Sequence, residues 1–514
     1  MRKKIFCSII ISFFAICFAL FPGAVSAGPD DEVRVALYVN TTTVNILELK
    51  LGTDLPVILP IHEALIASDP KTGERTFKNS LSESVKIMKN KKDIQVKIRK
   101  GSVFHTGDAL TAHDVKFTYD QCMNPDNAMV MASALEEIEE IEVLDDHNLI
   151  FHFYEPYAGW KELLWIGICS KNYYEKAGRN KFSSHPVGSG YFRFVERKKA
   201  ESVTLEAFED HPLGKVDYKT LKFLTVPDEV TRLAMLETGE VDLITDILPF
   251  YVKRLEKNQN IKIKRSSNVP SLFGLSFKPD NYPILKDVNL QRAFTHAINR
   301  QELIDRIFLG EGYPMYMYAS KSELGYDPNL KYEFNPDKAR MLVKKSSYKP
   351  DTELILTYTN DVPNAYQVAA LIQNYMIRVG VTIKLQQLEQ GLHATYSRTK
   401  DQRAGHMSLF SWAGGRDPSM RLILSLPSDS VYCAWSTRPN QKALDALVFK
   451  QAREADPIKR RALLKKLHKL HHTYPSGPIL FGLNQIYATS NRIDYTWAPK
   501  ESLVFNLNYI KMVK

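Results

Sequence analysis

Between residues 353 and 412 the spacing of apolar side chains alternates between the periods of strand and helix, which constrains the fold more than any other feature. Leu354, Ile355 and Leu356 form an apolar run continued by Thr357 and Tyr358, as in a strand. Val368, Leu371, Ile372, Tyr375, Met376 and Val379 then recur three and four residues apart, which predicts a helix closed by Gly380. Residues 381–385 resume as strand, a short helix starts near Gly391, and residues 407–411 give a third strand. Right-handed crossovers make such strands parallel neighbours in one sheet with helices on its faces. In open α/β sheets a ligand sits in the crevice beyond the carboxyl ends of the strands.

The first residues fix the compartment. Arg2, Lys3 and Lys4 precede an apolar run over residues 5–21, then Pro22, Gly23 and Ala24-Val25-Ser26-Ala27. This is the pattern of a secretory signal peptide cut after Ala27, and it predicts a periplasmic protein. A membrane anchor is the weaker reading, because a run of about 17 apolar residues sits at the lower limit for crossing a bilayer. Cys17 follows Phe14-Ala15-Ile16, where a lipidated cysteine wants small residues, so no lipid anchor is expected. Removing residues 1–27 takes three of 68 basic side chains and none of 58 acidic ones, leaving about +7 of the formal +10. The lysines of residues 89–92 and the basic helix near residue 460 read as solvated faces, and nucleic acid is not a partner for an exported chain. Cys122, Cys169 and Cys433 remain after cleavage, enough for one disulfide at most, with the pairing left open. Length alone predicts two or three domains or subdomains.

Elsewhere Val33, Val35, Leu37 and Val39 alternate with other side chains, which puts a half-buried strand at the mature N-terminus. Residues 94–98 and 149–153 read as strands, and between them Thr111 and Asp114 cap a helix that runs to about Cys122. Residues 227–239 read as a helix with Val230, Leu233 and Leu236 on one face and Gly239 at its end. Residues 287–309 read as one long helix, stopped by Gly310 and Gly312.

Trp412-Ala413-Gly414-Gly415-Arg416-Asp417-Pro418 occupies the end of the third strand of the first block. It offers a ligand an aromatic plate, a backbone unshielded at two glycines, and one charge of each sign. The same residues also fit a core tryptophan, a glycine turn and a local salt bridge. Catalysis has no motif to support it: His62-Glu63 is not followed by a second zinc-binding histidine, and Ser189 lies outside a G-x-S-x-G elbow. His468, His471 and His472 have spacing that could hold a transition metal. A packed helix explains them better, started by Asp456 and Pro457 with Leu463, Leu464, Leu467 and Leu470 inward. No metal and no cofactor is therefore assigned. No fixed-period repeat or low-complexity stalk supports a structural or adhesive envelope protein, the alternative of another class.

Six blocks in order carry a resemblance. Leu110-Thr111-Ala112-His113-Asp114-Val115-Lys116-Phe117-Thr118-Tyr119-Asp120 resembles "LTAEDVxFTYD", with His113 where glutamate is usual, and His185-Pro186-Val187-Gly188-Ser189-Gly190-Tyr191 resembles "NPVGTGPY". Residues 232–242 resemble "RLxALxxGEVD", residues 288–305 resemble "VRxALxxAIDREELID", residues 335–339 are similar to the stretch before "LL", and residues 412–418 to the "WxADYPDP" loop. The chain thus resembles family 5 of the extracellular solute-binding proteins, the dipeptide, oligopeptide and nickel receptors of ABC importers.

The resemblance implies an α/β class II periplasmic-binding-protein fold: two lobes joined by a hinge, with an extra inserted subdomain. Lobe I would comprise residues 28–66, 186–276 and 484–514, the inserted subdomain 67–185, and lobe II 277–483. The backbone would cross between lobes near residues 272–277 and 478–483. A monomer would bind a small ligand, a peptide or another organic solute including anions, close about it and deliver it to ABC permease subunits. Nickel or a metal chelate is the alternative cargo. Peptide receptors of the family hold the ligand's amino terminus on an aspartate three residues after the loop tryptophan, and that position is Gly415 here. The expected ligand-binding set is Trp412, Gly415, Arg416 and Asp417, opposed by Tyr38, Thr41 and Phe273. Arg416 is the anion-pairing candidate.

Overall fold

The computed structural model describes residues 31–513 apart from 50–51, 128, 130–131, 268, 270, 360–361, 399, 414–416, 431, 496 and 498–503. The expected signal peptide, residues 1–27, lies outside the described residues.

The alternation at the N-terminus forms the strand Glu32–Leu37, which pairs in parallel with Thr220–Thr225 on one side and Leu243–Ile244 on the other. These belong to a seven-stranded sheet in the order Ile261–Ser266, Gln485–Ser490, Leu243–Ile244, Glu32–Leu37, Thr220–Thr225, Ser202–Ala207, Phe192–Lys198. Early, middle and late segments of the chain therefore share one sheet.

A six-stranded sheet contains the expected crossover block. Glu353–Tyr358 lies between Thr382–Gln387 and Met407–Ala413, parallel to both. Ser271–Phe277 adds antiparallel to Met407–Ala413, followed outward by Ile479–Leu483 and Gly312–Pro314. Because side chains alternate along a strand, Phe273, Leu275, Phe277, Met407 and Leu409 face one way, into a core with Phe294, Ile304, Ile372 and Met376. Leu272 faces the other way, into a cluster with Leu422, Leu444, Leu464 and Leu467.

A separate four-stranded sheet, Ser82–Ile87, Asp93–Ile98, Asn148–Phe153, Ile138–Asp145, is inserted after the first strand of the large sheet. The helix Ala112–Met123 packs on it through Val115 and Tyr119. Its start is capped as the sequence predicts, the Thr111 amide donating to Asp114 Oδ2 at 2.9 Å. The loop Gly188-Ser189-Gly190 presses on the preceding segment, where a Cβ at Gly188 would stand 2.1 Å from the Ile61 carbonyl oxygen.

Ser271–Phe277 pairs only within the six-stranded sheet, so the chain leaves one large sheet at Ser266 and enters the other at Ser271. It returns at Asn484, between Ile479–Leu483 and Gln485–Ser490. The expected first crossing, near 272–277, is one strand late, because alternation identifies a strand without saying which sheet will pair it.

Two helices depart from expectation. The stretch 287–309 is two helices, Val288–Ala297 and Arg300–Ile307, separated where the Asn299 side chain accepts the Glu302 amide hydrogen and starts a new helix. The break turns Arg300 inward, where its guanidinium donates to the carbonyls of Ile479 at 2.9 Å and Met315 at 3.0 Å. In the helix Glu229–Glu237, Val230 is 47% exposed and Arg232 is the buried one. Its guanidinium donates to the Val226 and Pro227 carbonyls at 2.8 Å, interactions that helical periodicity of apolar residues does not register.

Candidate functional site

On the face of the six-stranded sheet opposite its main core, the alternation brings small polar side chains together. Ser276 and Ser408 are direct cross-strand partners, and both line a cavity of about 420 Å³. Tyr396, from the helix Gln390–Arg398, and Tyr432 also line it, and Trp412 meets Tyr432 edge-on at 5.7 Å.

The charges around this cavity are uneven. Lys278 continues the face of Leu272, Gly274 and Ser276, lines the cavity and is half-buried. Its ammonium has no hydrogen-bond or ion-pair partner among the described residues, and burial pushes its pKa down to about 8. The Asp280 carboxylate is already engaged: it accepts from the Ser436 amide at 2.8 Å, the Ser436 hydroxyl at 2.7 Å and the Thr437 hydroxyl at 2.9 Å. Burial pushes the Asp280 carboxyl upward, but the Ser436 bonds outweigh it and hold the group below its ordinary range. Lys400 Nζ stands 4.0 Å from Asp280.

A second cavity, of about 250 Å³, lies where the chain passes between the sheets. Phe273, Phe308 and Trp412 wall it from the side of the six-stranded sheet, and Asp246, Leu248 and Gln485 from the other. Trp412 and Ser411 border both cavities, so the tryptophan stands between the larger cavity and the crossing.

The residues expected from sequence divide. Trp412 lines both cavities, and Phe273 stacks on Phe481 with ring centroids 5.0 Å apart while lining the crossing cavity. Gly415 and Arg416 lie outside the described residues. Asp417 does not offer a free carboxylate: Arg460 donates to both of its oxygens at 2.6 Å, and the Ser419 amide donates at 2.8 Å. Burial raises the Asp417 pKa, and the Arg460 bonds and charge more than reverse this. Tyr38 and Thr41 line neither cavity. The Tyr38 ring lies 5.9 Å from the Arg232 guanidinium, and burial, aided by Asp246, pushes its hydroxyl up to about 12. Thr41 is buried, its carbonyl accepting from Arg197 Nη2 at 2.6 Å.

The three histidines are packing residues. His468 and His471 are buried, His471 Nε2 lies 3.1 Å from Ser476 Oγ, and His472 stacks on Tyr332 at 3.7 Å. Among the described residues no three His, Cys, Asp or Glu side chains are grouped to hold a metal. Cys122, Cys169 and Cys433 are buried free thiols. Lys278, Asp280, Lys400 and Tyr432 were missed from sequence. The signal for Lys278 was present, because a lysine in phase with Leu272, Gly274 and Ser276 must point to the same face.

Two sheets linked by paired crossings, with cavities on one sheet and at the crossing, are the architecture of the class II periplasmic-binding-protein fold. The sequence pattern of the bacterial extracellular solute-binding proteins, family 5 (middle), matches residues 76–431, and the chain belongs to this family. It is thus a solute-binding protein and not an enzyme. The oligopeptide-binding protein AppA of Bacillus subtilis is 26% identical over 353 residues, 64% of this chain and 64% of that one. The ABC transporter substrate-binding protein CtaP of Listeria monocytogenes has the same fold, with a TM-score of 0.83, 21% identity, and coverage of 94% of this chain and 99% of CtaP. NikZ of Campylobacter jejuni, solved with Ni(L-His), matches with a TM-score of 0.79 and 20% identity over 94% of this chain and 100% of NikZ.

Proposed function

We propose that this protein is exported through its N-terminal signal, captures a small organic solute outside the cytoplasmic membrane, and presents it to the permease subunits of an ABC importer. The observation that carries the reading is the position of Trp412, which borders both the larger cavity and the crossing between the sheets. A ligand seated against it touches one lobe, and closure about the two crossings, the second at Asn484, brings the other over it and excludes water. The ligand favours the closed form by binding it more tightly than the open one. The lobes correspond to the two large sheets, with residues 67–185 as the inserted subdomain and Tyr38, Thr41 and Asp246 on the opposing lobe. Among the described residues no helix is long and apolar enough to cross a membrane, in keeping with a periplasmic receptor. A monomer suffices, since both walls come from one chain.

The cargo is a peptide or another compact organic ligand. Nickel chelates are less favoured, because the three candidate histidines are taken up by packing. Native mass spectrometry of the protein purified from its own envelope tests the reading. A retained small organic solute is expected; recovery of a macromolecular partner in place of a solute would contradict it.

A further inference from the structure

The larger cavity holds a charge without a counter-charge. Lys278 reaches it from the end of its strand with no partner among the described residues, and the one carboxylate lining the cavity, Asp280, is engaged by Ser436, Thr437 and Lys400. A second cation lies close by. Arg438 is 4% exposed, and its Nε and Nη1 have no hydrogen-bond partner. Its guanidinium lies 5.5 Å from the centre of the Trp435 ring, within electrostatic reach of Cys433 and Tyr318, which both line the cavity, and of Asp445 and Asp280, whose charges offset its own. The other groups facing the space are His393, Tyr396, Tyr432 and Lys400. No free carboxylate among them neutralises Lys278.

Holding an ammonium partly out of water without a partner costs several kcal/mol in general, and proteins accept such a cost where a ligand supplies the missing charge. A ligand ammonium would find no open carboxylate here and would meet the positive charge of Lys278. We propose that this cavity takes a small organic acid, whose carboxylate pairs with Lys278 while Trp412 and Tyr432 cover its carbon skeleton. The proposal rests on the receptor reading above and narrows it from organic solutes in general to those carrying a carboxylate.

The test is calorimetric titration and small-angle scattering with a panel of mono- and dicarboxylates, trialanine, and the carboxamide of each. An acid that binds and compacts the particle, at least tenfold tighter than its carboxamide, is expected. In Lys278→Met that preference disappears, and in Lys278→Arg it returns. The wild-type protein gives an independent readout, since a carboxylate favours the charged amine: affinity falls about tenfold between pH 7 and pH 9 as the free Lys278 loses its proton. Carboxamides that bind and compact the particle as well as the acids, or a preference that survives in Lys278→Met, would overturn the proposal and leave the receptor reading intact. If no member of the panel bound or compacted the particle, this proposal would fail, while the receptor reading would still be judged by the solute that native mass spectrometry recovers.

Discussion

Ser276 and Ser408 stand directly opposite one another on the antiparallel strands Ser271–Phe277 and Met407–Ala413, and the space above them is the largest cavity described. Two residues along each strand the same face carries Gly274 and Phe410, again a cross-strand pair, with Phe410 lining the cavity as well. The room for a ligand therefore comes from short side chains at one rung of a sheet whose neighbouring rungs support the walls. Ser276→Leu fills that rung. Its expected effect is a loss of cargo affinity of at least tenfold, or about 1.4 kcal/mol, with little change in melting temperature, read by calorimetry and thermal unfolding on one preparation.

Asp417 and Arg460 form a second relationship on which the site depends. The pair is largely buried, with both carboxylate oxygens engaged, so Asp417→Ala strands a guanidinium without its counter-charge. Breaking a buried pair in this way costs about 3–5 kcal/mol, measurable as a lowered denaturant midpoint. The double replacement Asp417→Ala with Arg460→Met recovers part of that loss, since it removes the stranded charge. An unchanged midpoint in the single variant would contradict the structural role given to Asp417.

Acid sensitivity follows from the buried histidines. Burial pushes His62 down to about 4 and His468 down to about 3, from an ordinary value of 6.5. The unfolded chain takes up a proton at each site near pH 6.5 while the folded chain stays neutral. Stability is therefore complete above pH 6.5 and falls as the pH drops towards 4 or 3. At pH 5 each histidine costs on the order of 2 kcal/mol. His468→Leu is expected to flatten the fall in melting temperature between pH 7 and pH 5, whatever its effect at pH 7.

Trp412 separates the cavity from the crossing and meets Tyr432 edge-on. Trp412→Ala removes an aromatic wall shared by both spaces. At least a tenfold loss of cargo affinity is expected, together with weaker closure. Affinity within twofold of wild type in Trp412→Ala would remove the tryptophan from the site.

The parallel block 353–412 was legible in the sequence because each element is locally periodic and the crossover rule leaves one arrangement. The helix 287–309 was misread as continuous because Asn299, a good cap, sits within an apolar pattern that looks unbroken. Tertiary pairing hid the rest. Arg460 lies 43 residues from Asp417, and nothing in the loop around residue 412 announces that its aspartate is spoken for. Lys278 escaped notice for another reason: residues 272–277 were expected only as a crossing between lobes, not as a strand that pairs in the second sheet with Ser408 and Phe410 for neighbours. Which side chains line a cavity depends on register, and register is set between strands rather than along them.

The central claim is a hinged receptor that closes on its cargo, and small-angle scattering with and without a solute shown by calorimetry to bind tests it most directly. The account predicts a smaller radius of gyration and a shift of the scattering curve when the solute is added at saturation. Superimposable curves from empty and saturated protein would contradict it.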